Sequence, residues 1–296
     1  MPADYKQKQI KRLQEGISEL DEDAKDKMLD FLLGMMEDEN EKRREEIEIL
    51  PLSNFTEEAE QIARDWGKIT GIKTGYREID SLTKGFDPGN LIILAGRTSQ
   101  YKTMLSLNMA RKIALQGIPV LFVTLENTKA EIAGRLLKMC ESKEEYERIS
   151  PNIAVQVKDE LNWRSVDPLI ENFVKMFTNG VVFIDHLHYF SRDTDRTAEA
   201  LGAVTKEFKK NAIRHRLPII LISHVRKDLT KKNSLPSIDD IRGSSLPAQD
   251  ADIVLMVGAG NNNNVIVEIQ KNRNKGFDPE NAVTYLNKIP DGIRIM

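Results

Sequence analysis

The chain has 296 residues, 40% of them hydrophobic, enough to bury one large core beside a smaller element. Its apolar runs fall far short of a bilayer's thickness, its start (MPADYKQKQIKR) has no apolar signal core, and its single cysteine, Cys140, excludes an intrachain disulfide, so a membrane protein or a disulfide-stapled secreted domain is not expected and a cytoplasmic location is. The net charge of −3 hides an asymmetry, −9 over residues 1–66 and +6 over residues 67–296: an acidic extension precedes a mildly basic body, which suits nucleic acid without requiring it.

Residues 4–49 read as helix. Met28, Phe31, Leu32, Met35 and Met36 recur at helical spacing, Asp21 is placed to cap them, and Glu37–Glu48 is almost wholly charged. Residues 1–50 are therefore expected to form a helical N-terminal extension, either a solvated helical face or a small oligomerisation or partner-binding hairpin. Pro51, Ser53 and Asn54 mark a break. Thr56–Trp66 (TEEAEQIARDW) is predicted as a short helix with Thr56 as its cap, making 51–67 a linker helix. Gly67, Gly71 and Gly75 then punctuate the entry to a main domain over 68–296.

In that domain strands and helices alternate. Strands are predicted at Leu91–Ala95, Val120–Leu125, Val181–Asp185 and Ile219–Ser223, with a short one around Val155. Helices are predicted at Met104–Gln116, Ala130–Cys140, Val166–Thr178 and Thr197–His215, the last with Leu201, Val204, Phe208 and Ala212 on one face. Ile253–Val257 and Val265–Gln270 follow with little helix between them, so the end is expected to be antiparallel, with Asn261–Asn264 as a polar hairpin tip. Continuous apolar strands between amphipathic helices predict an α/β fold, a mostly parallel sheet covered on both faces. Cys140 follows a helical pattern and reads as packing.

The first strand runs into Gly96-Arg97-Thr98-Ser99-Gln100-Tyr101-Lys102-Thr103 and then a helix. This is the layout of a phosphate-binding loop, G-x-x-x-x-G-K-[ST], with Tyr101 in place of the second glycine. Such a loop aims backbone N–H groups and a helix N-terminus at phosphate oxygens; Lys102 adds charge for the terminal phosphates and the Thr103 hydroxyl suits Mg²⁺. Ligands of open α/β sheets bind at the C-terminal strand edge. Glu126, Asp185 and His224 stand at three such strand ends, with the chemistry of a general base, a Mg²⁺ anchor and a phosphate sensor. His186 and His188 flank Leu187, but two imidazoles without further ligands make a weak case for metal.

Five blocks carry a family resemblance. GIKTGYREIDSLTKGFDPGNLIILAGR, VLFVTLEN, VVFIDHLHYF, LPIILISHVRK and SIDDIRGSSLPAQDADIVLMV occur in the order found in the ATPase domain of replicative hexameric helicases of the DnaB type, and residues 71–289 resemble that domain. SHVRK is closer to the phage primase-helicase and mitochondrial helicase branch, which places a His at the sensor position; IQKNRN resembles the block that supplies two basic residues to a neighbouring subunit. The resemblance implies a RecA-like core that hydrolyses ATP, or another nucleoside triphosphate, with Mg²⁺ at the interfaces of a homo-oligomeric ring, a hexamer, acting on single-stranded DNA beside other replication proteins. It implies that Lys102 and Thr103 bind phosphate and Mg²⁺, that Glu126 is the catalytic carboxylate, Asp185 the second Mg²⁺ anchor and His224 the sensor, and that Arg273 is an arginine finger acting in trans with Lys271 beside it.

Residues 192–232 carry a local excess of +6. The resemblance places DNA-tracking loops there, with Arg226, Lys227, Lys231, Lys232 and Arg242 as candidates for sequence-independent backbone contacts; Lys206, Lys209 and Lys210 read as a solvated helix face. Residues 1–66 are short for the family's N-terminal collar and carry no primase, which puts primase recruitment in question, although Thr56–Trp66 resembles the helix that packs on the next subunit. Tyr101 and the short N-terminal region keep a second reading open: a helicase-derived protein that assembles with DNA or a helicase around a weak or inactive nucleotide site.

Overall fold

The computed structural model describes residues 50–157, 165–187, 198–225, 235–241, 246–260, 264–273, 282–289 and 293–296. The chain divides into two compact units, Met1–Gln61 and Ile62–Met296. The helices expected before residue 50 lie outside the described residues. Leu52–Phe55 forms a 3-10 turn that leads into helix α1 (Thr56–Arg64). Thr56 is the first helical residue and not the cap: its hydroxyl donates back to the Ser53 carbonyl at 2.9 Å. The helix stops at Arg64, two residues short of expectation, where turn bonds Trp66 N to Ala63 O and Lys68 N to Asp65 O take over.

The second unit is built on an eight-stranded sheet in the order β3-β2-β4-β5-β1-β6-β7-β8. Its strands are β1 (Leu91–Gly96), β2 (Val120–Thr124), β3 (Ile153–Val157), β4 (Val181–Asp185), β5 (Ile219–His224), β6 (Ile253–Ala259), β7 (Asn264–Asn272) and β8 (Val283–Asn287). β1 through β6 pair in parallel, while β7 and β8 add antiparallel, as the sparse helix after Ile253 suggested. Every residue of β1, β2 and β4 is buried, as parallel strands covered on both faces require.

Alternate side chains divide between the two faces. Ile92, Leu94, Phe122, Phe183 and Ile220 point to one core, shared with Leu105, Met109 and Ile113 of α3 (Lys102–Leu115) and with Ile132 and Leu136 of α4 (Lys129–Met139). Leu121, Val123, Ile184 and Leu221 point to the other, against α6 (Val166–Phe177) and α7 (Ala198–His215), where Leu201, Val204, Phe208 and Ala212 form the buried stripe read from their spacing. α4 is started by a capping box between Thr128 and Glu131.

Two seven-residue helices escape the periodic reading. α2 (Arg77–Thr83) is held by Asp80, whose buried carboxylate accepts from Thr74 N at 2.7 Å and Thr74 Oγ1 at 2.8 Å. α5 (Lys143–Ile149) is tied to α3 by the buried ion pair Arg111–Glu145. Beside that pair Cys140 ends α4 as a buried thiol whose pKa is raised by burial and by the Glu145 charge, the setting of a packing residue. α8 (Leu246–Asp250) precedes β6. Among the described residues no helix is long and apolar enough to cross a membrane.

Candidate nucleotide-binding site

β1 is the centre of the sheet, between β5 and β6, so the loop that leaves it opens over the middle of the parallel edge. Gly96 is required there because a Cβ would collide with the Val257 carbonyl oxygen of β6. The chain turns through Arg97–Gln100, with Gln100 N donating to Arg97 O at 3.3 Å, and α3 begins. Arg97 and Gln100 are half-buried and Thr98 and Ser99 exposed. The first-turn amides of α3 have no intrahelical acceptors, and no acidic side chain occupies that turn, which leaves it suited to an anion.

Tyr101 stands where the motif expects glycine, and the backbone explains why glycine is the usual choice. Tyr101 has φ 60° and ψ 4°, in the left-handed region, as does Ser99 at φ 61°. The ring does not fill the phosphate site. It packs against the core on the α3 face, and its hydroxyl accepts from Lys288 Nζ at 2.7 Å while that ammonium sits 4.2 Å from the ring centroid. The left-handed backbone costs about 1–2 kcal/mol in a non-glycine residue; a charged hydrogen bond of about 1.5–3 kcal/mol and the ring's packing oppose it. Tyr101→Gly is therefore expected to lower thermal stability slightly and to leave nucleotide affinity no higher, read by melting curves and nucleotide titration.

Lys102 is 5% exposed, and its Nζ donates to the Arg97 carbonyl at 2.8 Å. Burial pushes its pKa down to about 8, against the pull of the Asp185 and Glu126 carboxylates, so the ammonium persists at neutral pH. Thr103 Oγ1 donates to Asp185 Oδ2 at 2.9 Å. Burial raises the Asp185 pKa to about 6 and Glu126 adds to the rise, while the Thr103 hydrogen bond and Lys102 oppose it. The Thr103–Asp185 pair fits Mg²⁺: both atoms are hard oxygen donors, and their separation matches the edge of about 3.0 Å of an octahedron with ~2.1 Å bonds.

Glu126 lies two residues beyond β2, its amide donating to Thr124 Oγ1 at 3.2 Å and its carboxylate partly exposed. It is not the cap of the following helix, which is Thr128. Its Oε1 lies 3.1 Å from Nδ1 of His186, the residue after β4. His224 ends β5 directly across from Gly96, and its ring meets that of His186 edge to face at 4.6 Å. The strand ends thus bring Lys102, Thr103, Glu126, Asp185 and His224 to one edge. His186 joins them; the sequence marked it only through its place beside a strand-end Asp and its pairing with His188 around Leu187. His188 lies outside the described residues.

Lys271 and Arg273 lie at the opposite edge. β7 runs antiparallel to β6 and ends beside its start, where Lys271 Nζ donates to Ala248 O (2.7 Å) and Gln249 O (2.9 Å), and Arg273 donates to Gln249 O (2.9 Å). Two cations thus meet the last carbonyls of α8. Asp252 sits between these groups and β1: its Oδ2 accepts from Leu91 N at 2.7 Å and Lys209 Nζ at 2.6 Å, and its Oδ1 is 3.7 Å from Arg273. Lys209 is therefore partly buried and paired, not part of a solvated face, because Asp252 and the Gly89 carbonyl reach its ammonium. Arg226, Lys227, Lys231, Lys232 and Arg242 lie outside the described residues.

The model of the DnaB-like helicase C-terminal domain matches residues 71–159 and 143–288. A probable replicative DNA helicase of Trieres chinensis is 28% identical over 215 residues, covering 64% of this chain and 47% of that protein. The chain spans about half the length of the curated relatives it matches. One solved chain, described as an ATPase domain, superposes with TM-score 0.73 at 21% identity, over 84% of this chain and 99% of its own. A DnaB-like replicative helicase solved for its interactions with primase superposes with TM-score 0.69 at 20% identity, over 84% of this chain and 67% of its own. The likeness of fold is to RecA-like helicase ATPase domains, and with its strand-end polar residues gathered around the phosphate loop and the family model matched across most of its length, the chain belongs to the DnaB-like helicases through their C-terminal domain.

Proposed function

We propose that the protein is an ATP-driven DNA helicase or translocase that moves on single-stranded DNA in replication, as a homo-oligomeric, hexameric ring with hydrolysis at its subunit interfaces. The observation that carries this reading is the split of the candidate residues: Lys102, Thr103, Glu126, Asp185 and His224 share one sheet edge, while Lys271 and Arg273 hold the other. Lys271 and Arg273 lie at the edge away from the candidate site of their own chain, so in this reading they serve the site of a second copy.

In this reading Lys102 leaves the Arg97 carbonyl for the β- and γ-phosphates, and the first-turn amides of α3 hold the phosphate oxygens. Thr103 and Asp185 would hold Mg²⁺, which would supply charge neutralisation at those oxygens. Glu126 orients the attacking water and takes its proton as the bond from the γ-phosphorus to the ADP oxygen breaks. His186 holds the Glu126 carboxylate, and His224 senses the terminal phosphate. Arg226, Lys227, Lys231, Lys232 and Arg242 track the DNA backbone, with affinity falling steeply with salt. The binding-only alternative drew its support from Tyr101, whose ring lies against the core and Lys288.

The test is ATP hydrolysis with and without single-stranded DNA, with Lys102→Ala as control. DNA-stimulated turnover well above that control is expected. Turnover no higher than the control, with nucleotide and DNA both bound, would sink the helicase reading in favour of an assembly role.

A further inference from the structure

Three adjacent strands, β2, β4 and β5, deliver Glu126, His186 and His224 to one point. One ligand atom from each lies within 4.8 Å of the others, and Glu126 Oε1 and His186 Nδ1 are already 3.1 Å apart. We propose that these residues form a Zn²⁺ site, separate from the Thr103–Asp185 pair, which when filled holds the ATPase centre inactive. The site rests on geometry alone; its effect on turnover rests on the ATPase reading.

Donor chemistry selects the ion. Two imidazoles and one carboxylate make the His₂Glu set that binds Zn²⁺ with a coordination position left open. Mg²⁺ prefers oxygen donors and keeps its waters, so the nitrogen-rich cluster discriminates against it, whereas imidazole suits borderline ions such as Zn²⁺ and Co²⁺. A tetrahedral site with ~2.0 Å bonds sets its ligand atoms about 3.3 Å apart. The Glu126–His186 pair meets that spacing, and side-chain rotation of roughly 1.5 Å closes the rest. His224 ends β5, and His186 and Glu126 follow the ends of the adjacent strands β4 and β2, so all three leave one edge of the parallel sheet.

A Zn²⁺ bound here takes Glu126, which the proposed hydrolysis needs as base, and His224, which it needs as sensor. No covalent step is involved; ligation and turnover compete for the same side chains. The effect is reversible inhibition by Zn²⁺ at concentrations where Mg²⁺ binding is unaffected.

The experiment is titration of the full-length, nucleotide-free protein with Co²⁺, read by its visible ligand-field absorption. One equivalent is expected to bind, to be displaced by Zn²⁺, and to withstand a large excess of Mg²⁺. Glu126→Gln, His186→Ala and His224→Ala are each expected to weaken Co²⁺ binding by roughly 100-fold, at or beyond the loss seen even for residues that only support a ligand. Glu126→Gln changes a partly exposed carboxylate without changing its shape, so it reports even where a histidine variant does not fold. Absent absorption, or Co²⁺ binding retained in Glu126→Gln and in the folded histidine variants, overturns the site. Lys102→Ala separates the two claims: it removes hydrolysis while Co²⁺ binding stays. Co²⁺ bound by a protein that never hydrolyses ATP leaves the site standing and removes only its inhibitory role.

Discussion

Mixing Arg273→Ala protein with Lys102→Ala protein is expected to restore DNA-stimulated ATP hydrolysis that neither variant has alone. Each variant by itself should fall by ~10³-fold or more, the scale on which an arginine finger acts. The reason lies in the sheet. Arg273 sits where β7 ends beside the start of β6, at the edge away from the phosphate loop, and in its own subunit it donates to the Gln249 carbonyl. It cannot serve the Lys102 of its own chain. In a mixed ring, an Arg273→Ala subunit contributes an intact Lys102, and a Lys102→Ala neighbour contributes an intact Arg273, so some interfaces regain both. Steady-state hydrolysis across a series of mixing ratios checks this. A mixture as inactive as its components, with both variants assembled into rings, would falsify the trans arrangement.

Asp252→Ala should destabilise the second unit by about 3 kcal/mol, the low end of what breaking a buried ion pair costs. The carboxylate is buried, and it serves the Leu91 amide at the start of β1, the Lys209 ammonium of α7 and, at longer range, Arg273. Its loss leaves the Leu91 amide without its acceptor and the Lys209 ammonium with the Gly89 carbonyl but no counter-charge. Asp252→Asn keeps an oxygen for Leu91 N and loses only the charge, so it should fall between wild type and alanine. Denaturant melts of the three proteins measure the order. Equal stability of Asp252→Ala and wild type would mean that Lys209 and Leu91 find other partners at no cost. In the proposed reading the same variants should weaken hydrolysis, because Asp252 Oδ1 lies 3.7 Å from the Arg273 guanidinium and its charge helps to place that side chain.

The strands were legible because a strand buried on both faces reads as an unbroken apolar run. β4 appears at its predicted bounds, and β1, β2 and β5 differ by one residue at one end. α2 and α5 were not legible. Each is seven residues long, and each is fixed by a buried polar contact, Asp80 with Thr74 or Arg111 with Glu145, that no periodicity records. β8 alternates exposed and buried over five residues, too short a pattern to stand out. The gathering of the candidate site followed from topology, since parallel strands put their C-terminal residues on one edge. The direction of the Tyr101 ring and the pairing of His186 with Glu126 did not follow, because both depend on side chains far away in sequence or on a turn. Lys209 misled for the same reason: its partner lies 43 residues on.

The central position of β1 also bears on how the protein is made. Its two neighbours begin at Ile219 and Ile253, and its first amide bonds to a carboxylate 161 residues later. Closing loops of that length delays pairing, and such long-range contacts slow folding. The phosphate loop is therefore synthesised early and shaped late. While Ile253–Val257 is still on the ribosome, one edge of β1 is open, and Gly96 lacks the Val257 carbonyl that forms one wall of its turn. The final shape of the loop thus waits on β6, a strand translated long after the loop itself.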